Sequence, residues 1–387
     1  MKQTRSADDK TPLQLFPLAV VWTLPLNNAL TAAPAFDETR GFFPLDNSQL
    51  AAYDLIGRKR LWIAPIATTV EPVVGDGVVY IVESESIAAL SAHSGDVVWR
   101  VPFREMLAVP PTLAGDLLIT AATSGEVTCR NARDGAVLWH QQLGAAANAP
   151  PTVSGNRIFL PTTDSLVHAL GRDTGLVQWK RPLGGWGNDI LATEGRLYLG
   201  SRDRYFYCLN AATGDVEWRW PTGANVIGLP VVDEQSVYFV SLDNVLRALN
   251  KSSGVQRWKS PLPLRPSTGP LKWSHTVVVA GAAPGLKAYD ARDGKAAGQS
   301  ATTNELSAPP HLVADPSLPF PILLAVTSDI TGQASVTAYS RTVDPEIVPL
   351  APLPNPADVP AAVVPPRDLG EISPLPNLSR VSPATGP

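Results

Sequence analysis

Few side chains of this chain stand at spacings that do covalent or metal chemistry. The five histidines, His93, His140, His168, His275 and His311, are scattered, and none has a cysteine or second histidine at ligand spacing. No GxxxxGK[ST] phosphate cradle and no GxSxG nucleophile elbow occurs. The GDG at Gly75–Gly77 separates two apolar stretches and reads as a hairpin turn, not as a dinucleotide fingerprint. Expected, then, is a chain without catalytic residues, metal ligands or a cofactor. What it does carry is recognition chemistry. The segment GGWGND holds Trp186, Asn188 and Asp189, and the segment SRDRYFY holds Arg202, Arg204 and Tyr205. Trp, Tyr and Arg concentrate in binding hot spots. Asp203 between them has counterparts in Asp46, Asp164 and Asp243 and reads as a turn residue. The two segments form one surface only if the elements between them bring them together.

Those elements are set by a repeat. Trp22, Trp62, Trp99, Trp139, Trp179, Trp218 and Trp258 are spaced by 40, 37, 40, 40, 39 and 40 residues. Each closes a similar phrase, among them AALSAHSGDVVW, TCRNARDGAVLW, HALGRDTGLVQW, YCLNAATGDVEW and RALNKSSGVQRW. AAYDLIGRKRLW is a looser first copy, KAYDARDGKAAG puts Gly298 at the tryptophan position, and TAYSRTVDPEIV stops before reaching one. Prolines follow, twelve residues on in most copies: Pro34, Pro72, Pro111, Pro151, Pro230, Pro270 and Pro310. After each come an apolar stretch, a turn such as Ser154-Gly155-Asn156, and a second stretch such as VVYIV or SVYFV. Alternating β-branched and aromatic residues bounded by Gly, Asn and Asp read as strand, turn, strand. A unit of about 40 residues with four short strands is a propeller blade.

The small residues ahead of each phrase, Ala52, Ala89, Cys129, Ala169, Cys208, Ala248, Ala288 and Ala338, count eight such units. The fold expected is all-β: an eight-bladed β-propeller of four-stranded antiparallel blades. The last blade lacks its outer strand, and residues near 17–25, carrying Trp22, supply it and close the ring. Closure removes sheet edges that would template aggregation. Blades pack face to face, so a tryptophan ring needs a small residue opposite it. Glycines such as Gly95 and Gly135 suit a positive φ in the turn before the outer strand. The seven tryptophans are thus structural docking residues. In the fifth blade the proline position is Ile190-Leu191. The loop into an inner strand and the turn between the second and third strands emerge on one face. Trp186, Asn188, Asp189, Arg202, Arg204 and Tyr205 are therefore the candidate binding surface.

These phrases, best matched by CLNAATGDVEW, resemble the tryptophan-docking repeats of the pyrroloquinoline-quinone (PQQ) type over about residues 15–342. Two groups share them: quinoprotein alcohol dehydrogenases, and BamB-type proteins of outer-membrane β-barrel assembly. Eight blades in fewer than 400 residues is similar to the second group, the dehydrogenases being much longer. That resemblance implies a non-enzymatic scaffold in the cell envelope or periplasm that docks protein partners, among them an outer-membrane assembly complex. A PQQ-dependent dehydrogenase or cofactor-binding sensor is the alternative, and an envelope polymer- or carbohydrate-binding propeller a third. The dehydrogenases use an adjacent cysteine pair over the cofactor and a calcium cluster. Cys129 and Cys208 are not adjacent and read as buried small hydrophobes, so PQQ catalysis is not expected. No motif of the BamB-type binding loops matches here, and no cysteine near Met1 offers that group's lipid-anchoring signal.

Composition excludes some partners. With 44% hydrophobic and 17% charged residues and a net charge of −4, the chain has no general attraction for nucleic acid or anionic membrane. No apolar run reaches the roughly 20 residues of a membrane span, and a monomer is expected in isolation. MKQTR, LQLFPLAVVWTLPL and ALTAAPA together mimic a secretory leader. Asp8, Asp9, Pro17 and Pro25 interrupt that reading, and the same residues align with the repeat, which favours a strand. The domain reading is a flexible segment at 1–14, a propeller at 15–342 and a disordered Pro-rich tail at 343–387. Twelve of the 38 prolines fall in that tail, a density that favours extended polyproline II. PRDLGEISPLP within it is a candidate linear motif for a partner.

Overall fold

The computed structural model describes residues 15–341 apart from 283, 317 and 319. The proposed segments at 1–14 and 343–387, with the PRDLGEISPLP motif, lie outside the described residues. Eight four-stranded antiparallel sheets form a ring of blades. Blade 1 starts at Ala35 and blade 5 comprises Gly187–Thr193, Arg196–Ser201, Tyr205–Asn210 and Val216–Pro221, inner to outer. Blade 8 comprises His311–Val313, Ile322–Ser328 and Ala334–Ser340, and Ala19–Pro25 adds its outer strand.

Burial follows position in the blade. The second strands are sandwiched between neighbouring blades, so Leu117–Ala121 and Thr276–Ala280 are buried on both faces and read as continuous apolar runs. Outer strands such as Val97–Pro102 leave alternate residues in solvent. In blades 2 and 5 the inner and second strands are joined by tight turns with two left-handed residues. Asp76 and Gly77 take φ 50° and 76°, and Glu194 and Gly195 take 50° and 74°. Both turns match the twist of the strands they join.

The tryptophans lock blade to blade in three ways. Each sits directly across the ladder from its small residue, as Cys129 from Trp139, Ala169 from Trp179 and Cys208 from Trp218. The small residue is therefore in the same sheet as the ring, and the facing blade contributes the turn glycine instead. A Cβ built at Gly175 would lie 2.4 Å from the Trp139 ring, and one at Gly214 2.6 Å from Trp179. Gly175 also takes φ 68°, so the position requires glycine for conformation and for space. Lastly, the indole N–H donates to a carbonyl of the next blade: Trp62 to Ala92 O at 3.1 Å, Trp139 to Arg172 O at 2.8 Å, Trp258 to Ala291 O at 2.9 Å.

Two interfaces depart from this pattern. Trp22 pairs with Ala338 and is 3% exposed, yet its Nε1 has no hydrogen-bond partner among the described residues. The facing turn of blade 1 has Arg58, at φ 54°, in place of glycine. In blade 7, Gly298 pairs with Ala288 and leaves the ring position vacant. Phe16, 4% exposed, occupies it, with ring atoms 2.6 Å and 2.8 Å from where a Gly298 Cβ would stand. Leu15 and Phe16 pack there with Val278, Leu286, Leu323 and Tyr339 from blades 7 and 8.

Candidate functional site

Blade 5 brings the two candidate segments together. The N–H of Arg202 donates to the Trp186 carbonyl at 2.9 Å, and Ser201 Oγ donates to the Gly185 carbonyl at 3.1 Å. Asp203 fixes the turn: its carboxylate accepts the N–H of Gly184 at 3.1 Å, the N–H of Tyr205 at 3.0 Å and the Tyr207 hydroxyl at 2.6 Å. Asp243 repeats this in blade 6, accepting the Gly223 N–H and binding Arg247. Asp203 is thus a turn residue that ties one loop to the other.

On this frame the Arg202 guanidinium lies over the Trp186 ring at 4.5 Å, and Arg219, from the outer strand, over the Tyr205 ring at 4.6 Å. Trp186 is 36% exposed, and Arg202, Arg204 and Arg219 are exposed. None of these three arginines forms an ion pair with a carboxylate among the described residues. Arg204 takes φ 67° at the corner of the turn, while its carbonyl accepts the Thr222 N–H at 2.8 Å. The surface is an ordered indole and phenol flanked by three cations, a chemistry suited to a partner that presents carboxylates and apolar surface.

Asn188 and Asp189 go elsewhere. The ladder of blade 5 shifts register between Gly187 and Ile190, a bulge that holds both residues. Asn188 Nδ2 donates to the Val226 carbonyl of blade 6, as Asn148 does to Gly187 O at 2.8 Å one blade earlier. Asn188 therefore joins blades. Asp189 is turned inward, and desolvation raises its pKa above the usual carboxylate range. The expected six-residue surface divides into Trp186, Arg202, Arg204 and Tyr205 on the face and two inner-strand residues. Sequence reasoning missed Arg219, whose signal was its place in the outer strand beside Tyr205: Tyr207 pairs with it across the ladder.

The cysteines occupy the slots expected. Both are buried free thiols, and burial pushes Cys129 up to about 11 and Cys208 up to about 12. Among the described residues no group of three or more His, Cys, Asp or Glu could hold a metal ion, and no helix is long and apolar enough to cross a membrane.

A closed ring of eight blades, seven of them docked by a tryptophan, defines a repeat propeller of the PQQ type. The profile of the family described as outer membrane protein assembly factor BamB matches residues 19–109, 83–185 and 163–319, and the chain belongs to that family. Among solved structures, BamB from Moraxella catarrhalis is 18% identical with a TM-score of 0.68, covering 84% of this chain and 100% of its own. The computationally designed Ika8 protein is 13% identical, TM-score 0.67, covering 82% and 98%. The quinohemoprotein alcohol dehydrogenase of Comamonas testosteroni is 12% identical, TM-score 0.65, covering 86% and 77%. At these identities the likenesses speak for fold. No curated protein sequence matches the chain.

Proposed function

We propose that the chain is a non-catalytic protein-interaction scaffold of the cell envelope. It assists the assembly of outer-membrane β-barrel proteins and docks a protein partner through the blade 5 face. One observation carries the docking surface: an exposed indole, Trp186, held under the Arg202 guanidinium beside arginines without carboxylate partners. Ordering these groups before binding lowers the entropic cost of association. Family membership supports the envelope location and the assembly role. With a purified partner, Trp186→Ala and Arg204→Ala should each weaken affinity by about tenfold, the ~1.4 kcal/mol of a modest hot spot. Unchanged affinity in both variants would refute the face.

The second reading, a quinone-linked dehydrogenase, is favoured by the likeness to the Comamonas enzyme. The residues present do not fit it. Cys129 and Cys208 stand two blades apart, each opposite its own tryptophan, with thiols far above the range of reactive cysteines. Glu71, just ahead of the blade 2 inner strand, and Asp189 of blade 5 act on one another as like charges, a pair that disfavours a quinone polycarboxylate between them. A chromophore retained on purification, with reduction of an artificial electron acceptor, would reverse this preference.

A further inference from the structure

The eight inner strands enter through equivalent residues, each just ahead of the proline position. Six of the eight are Ala, Gly, Pro or Leu, and the other two are Glu71 in blade 2 and Asp189 in blade 5. None is basic. Asp189 lies in the bulge of blade 5, a device that re-aims side chains. The two carboxylates sense one another across the ring: burial raises Glu71 to about 6, and the charge of Asp189 adds to that rise. Among the described residues no cation acts on either.

Glu71 lies in a cavity of about 290 Å³ at the axial end of blades 8, 1 and 2. Facing it are flat aromatic and proline surfaces mixed with polar groups, and the Asp37 carboxylate acts on His311 within that wall. The His311 imidazole stacks on the Phe36 ring with centroids 4.5 Å apart and planes 14° apart, and Pro34, Pro72 and Pro310 complete the lining. Desolvation lowers the pKa of His311, so this wall is neutral near pH 7. A hard divalent cation takes six to eight oxygens, and no such ligand group exists among the described residues. One carboxylate facing an aromatic and proline wall suits an organic cation, whose stem lies on the rings while its head meets the carboxylate.

We propose that this axial cavity binds a short alkylammonium group, with Glu71 as counter-charge, Phe36 and His311 as the wall for its stem, and Asp189 as a second, longer-range charge. The ammonium is supplied either by a free polyamine or by a lysine side chain of a bound peptide. The proposal does not depend on the blade 5 face or on the assembly role.

The test is isothermal titration calorimetry of the full chain at pH 7.5 and low salt with spermidine, with the blocked peptide acetyl-Ala-Lys-Ala-amide, and with Mg²⁺. Saturable one-site binding of at least one amine is expected. Spermidine alone would point to a free polyamine, the peptide alone to a lysine side chain. Glu71→Gln should weaken binding tenfold or more and Phe36→Leu several-fold. The exposed Glu305→Gln, which changes net charge equally, should leave it unaltered. All variants should keep the parent melting temperature to within a degree or two. Absence of saturable binding by both amines, equal binding of Mg²⁺, or an undiminished affinity in Glu71→Gln would each overturn the proposal.

Discussion

Replacing Phe16 by alanine empties the interface that the other blades fill with an indole. Phe16 is 4% exposed and its neighbour Leu15 1% exposed, and the ring rests on Gly298, where no side chain can take its place. Truncation of a buried phenylalanine costs about 3–5 kcal/mol, transfer and cavity terms together. The described ring spans roughly 330 residues, and at ~2.1 cal/mol/K per residue its unfolding entropy is on the order of 0.7 kcal/mol/K. Dividing the first by the second gives a fall in melting temperature of ~4–7 °C. Differential scanning calorimetry measures it. The mechanism has a sharper signature in a double-mutant cycle. Gly298→Ala drives a Cβ into the Phe16 ring and should destabilise the parent protein, but in the Phe16→Ala background the same methyl enters vacated space and should cost little or even stabilise. A Phe16→Ala cost under about 1 kcal/mol, or an equal cost of Gly298→Ala in both backgrounds, would refute the stand-in role of Phe16.

Other outcomes follow from the same geometry. Trp139→Phe strands the Arg172 carbonyl and should cost about 1–2 kcal/mol beyond its lost area, whereas Trp22→Phe, with no N–H partner to lose, should cost less; urea unfolding compares them. His168 is fully buried, and burial lowers its pKa from 6.5 to about 4. Because the folded state holds it neutral, its contribution to stability is complete above pH 6.5 and is lost as pH falls toward 4. Between pH 7 and 4.5 the parent should lose on the order of 2–3 kcal/mol more than His168→Gln, and equal pH slopes would contradict this. Cys129 and Cys208 should resist alkylation at pH 8 in the folded protein and react together on unfolding.

The periodic part of the fold was legible because every blade needs the same contacts. A ring beside a small residue, a left-handed turn and a proline before the inner strand recur in the sequence as they recur in space. The count of eight and the closing strand at Ala19–Pro25 followed from it. What lay outside the period was harder to read. Gly298 announced a vacancy, but nothing in the repeat pointed to Phe16, which precedes the first repeat strand and fills an interface far along the chain. In blade 5, loop order alone placed Trp186 beside Arg202, since adjacent turns on one face must meet. The bulge that takes Asn188 and Asp189 off that face carries no periodic mark, because it lies ahead of Ile190, the residue at the proline position. Glu71 escaped notice for a related reason: its partner stands three blades away, a distance only the closed ring makes short.

The most direct measurement is quantitative affinity capture of the tagged protein from its native host after mild crosslinking, the parent run beside Trp186→Ala and Arg204→Ala. Outer-membrane assembly components should be recovered with the parent and reduced by about tenfold with both variants at equal expression. Their absence from the parent capture would contradict the assembly role, and equal recovery with all three proteins would contradict docking through the blade 5 face.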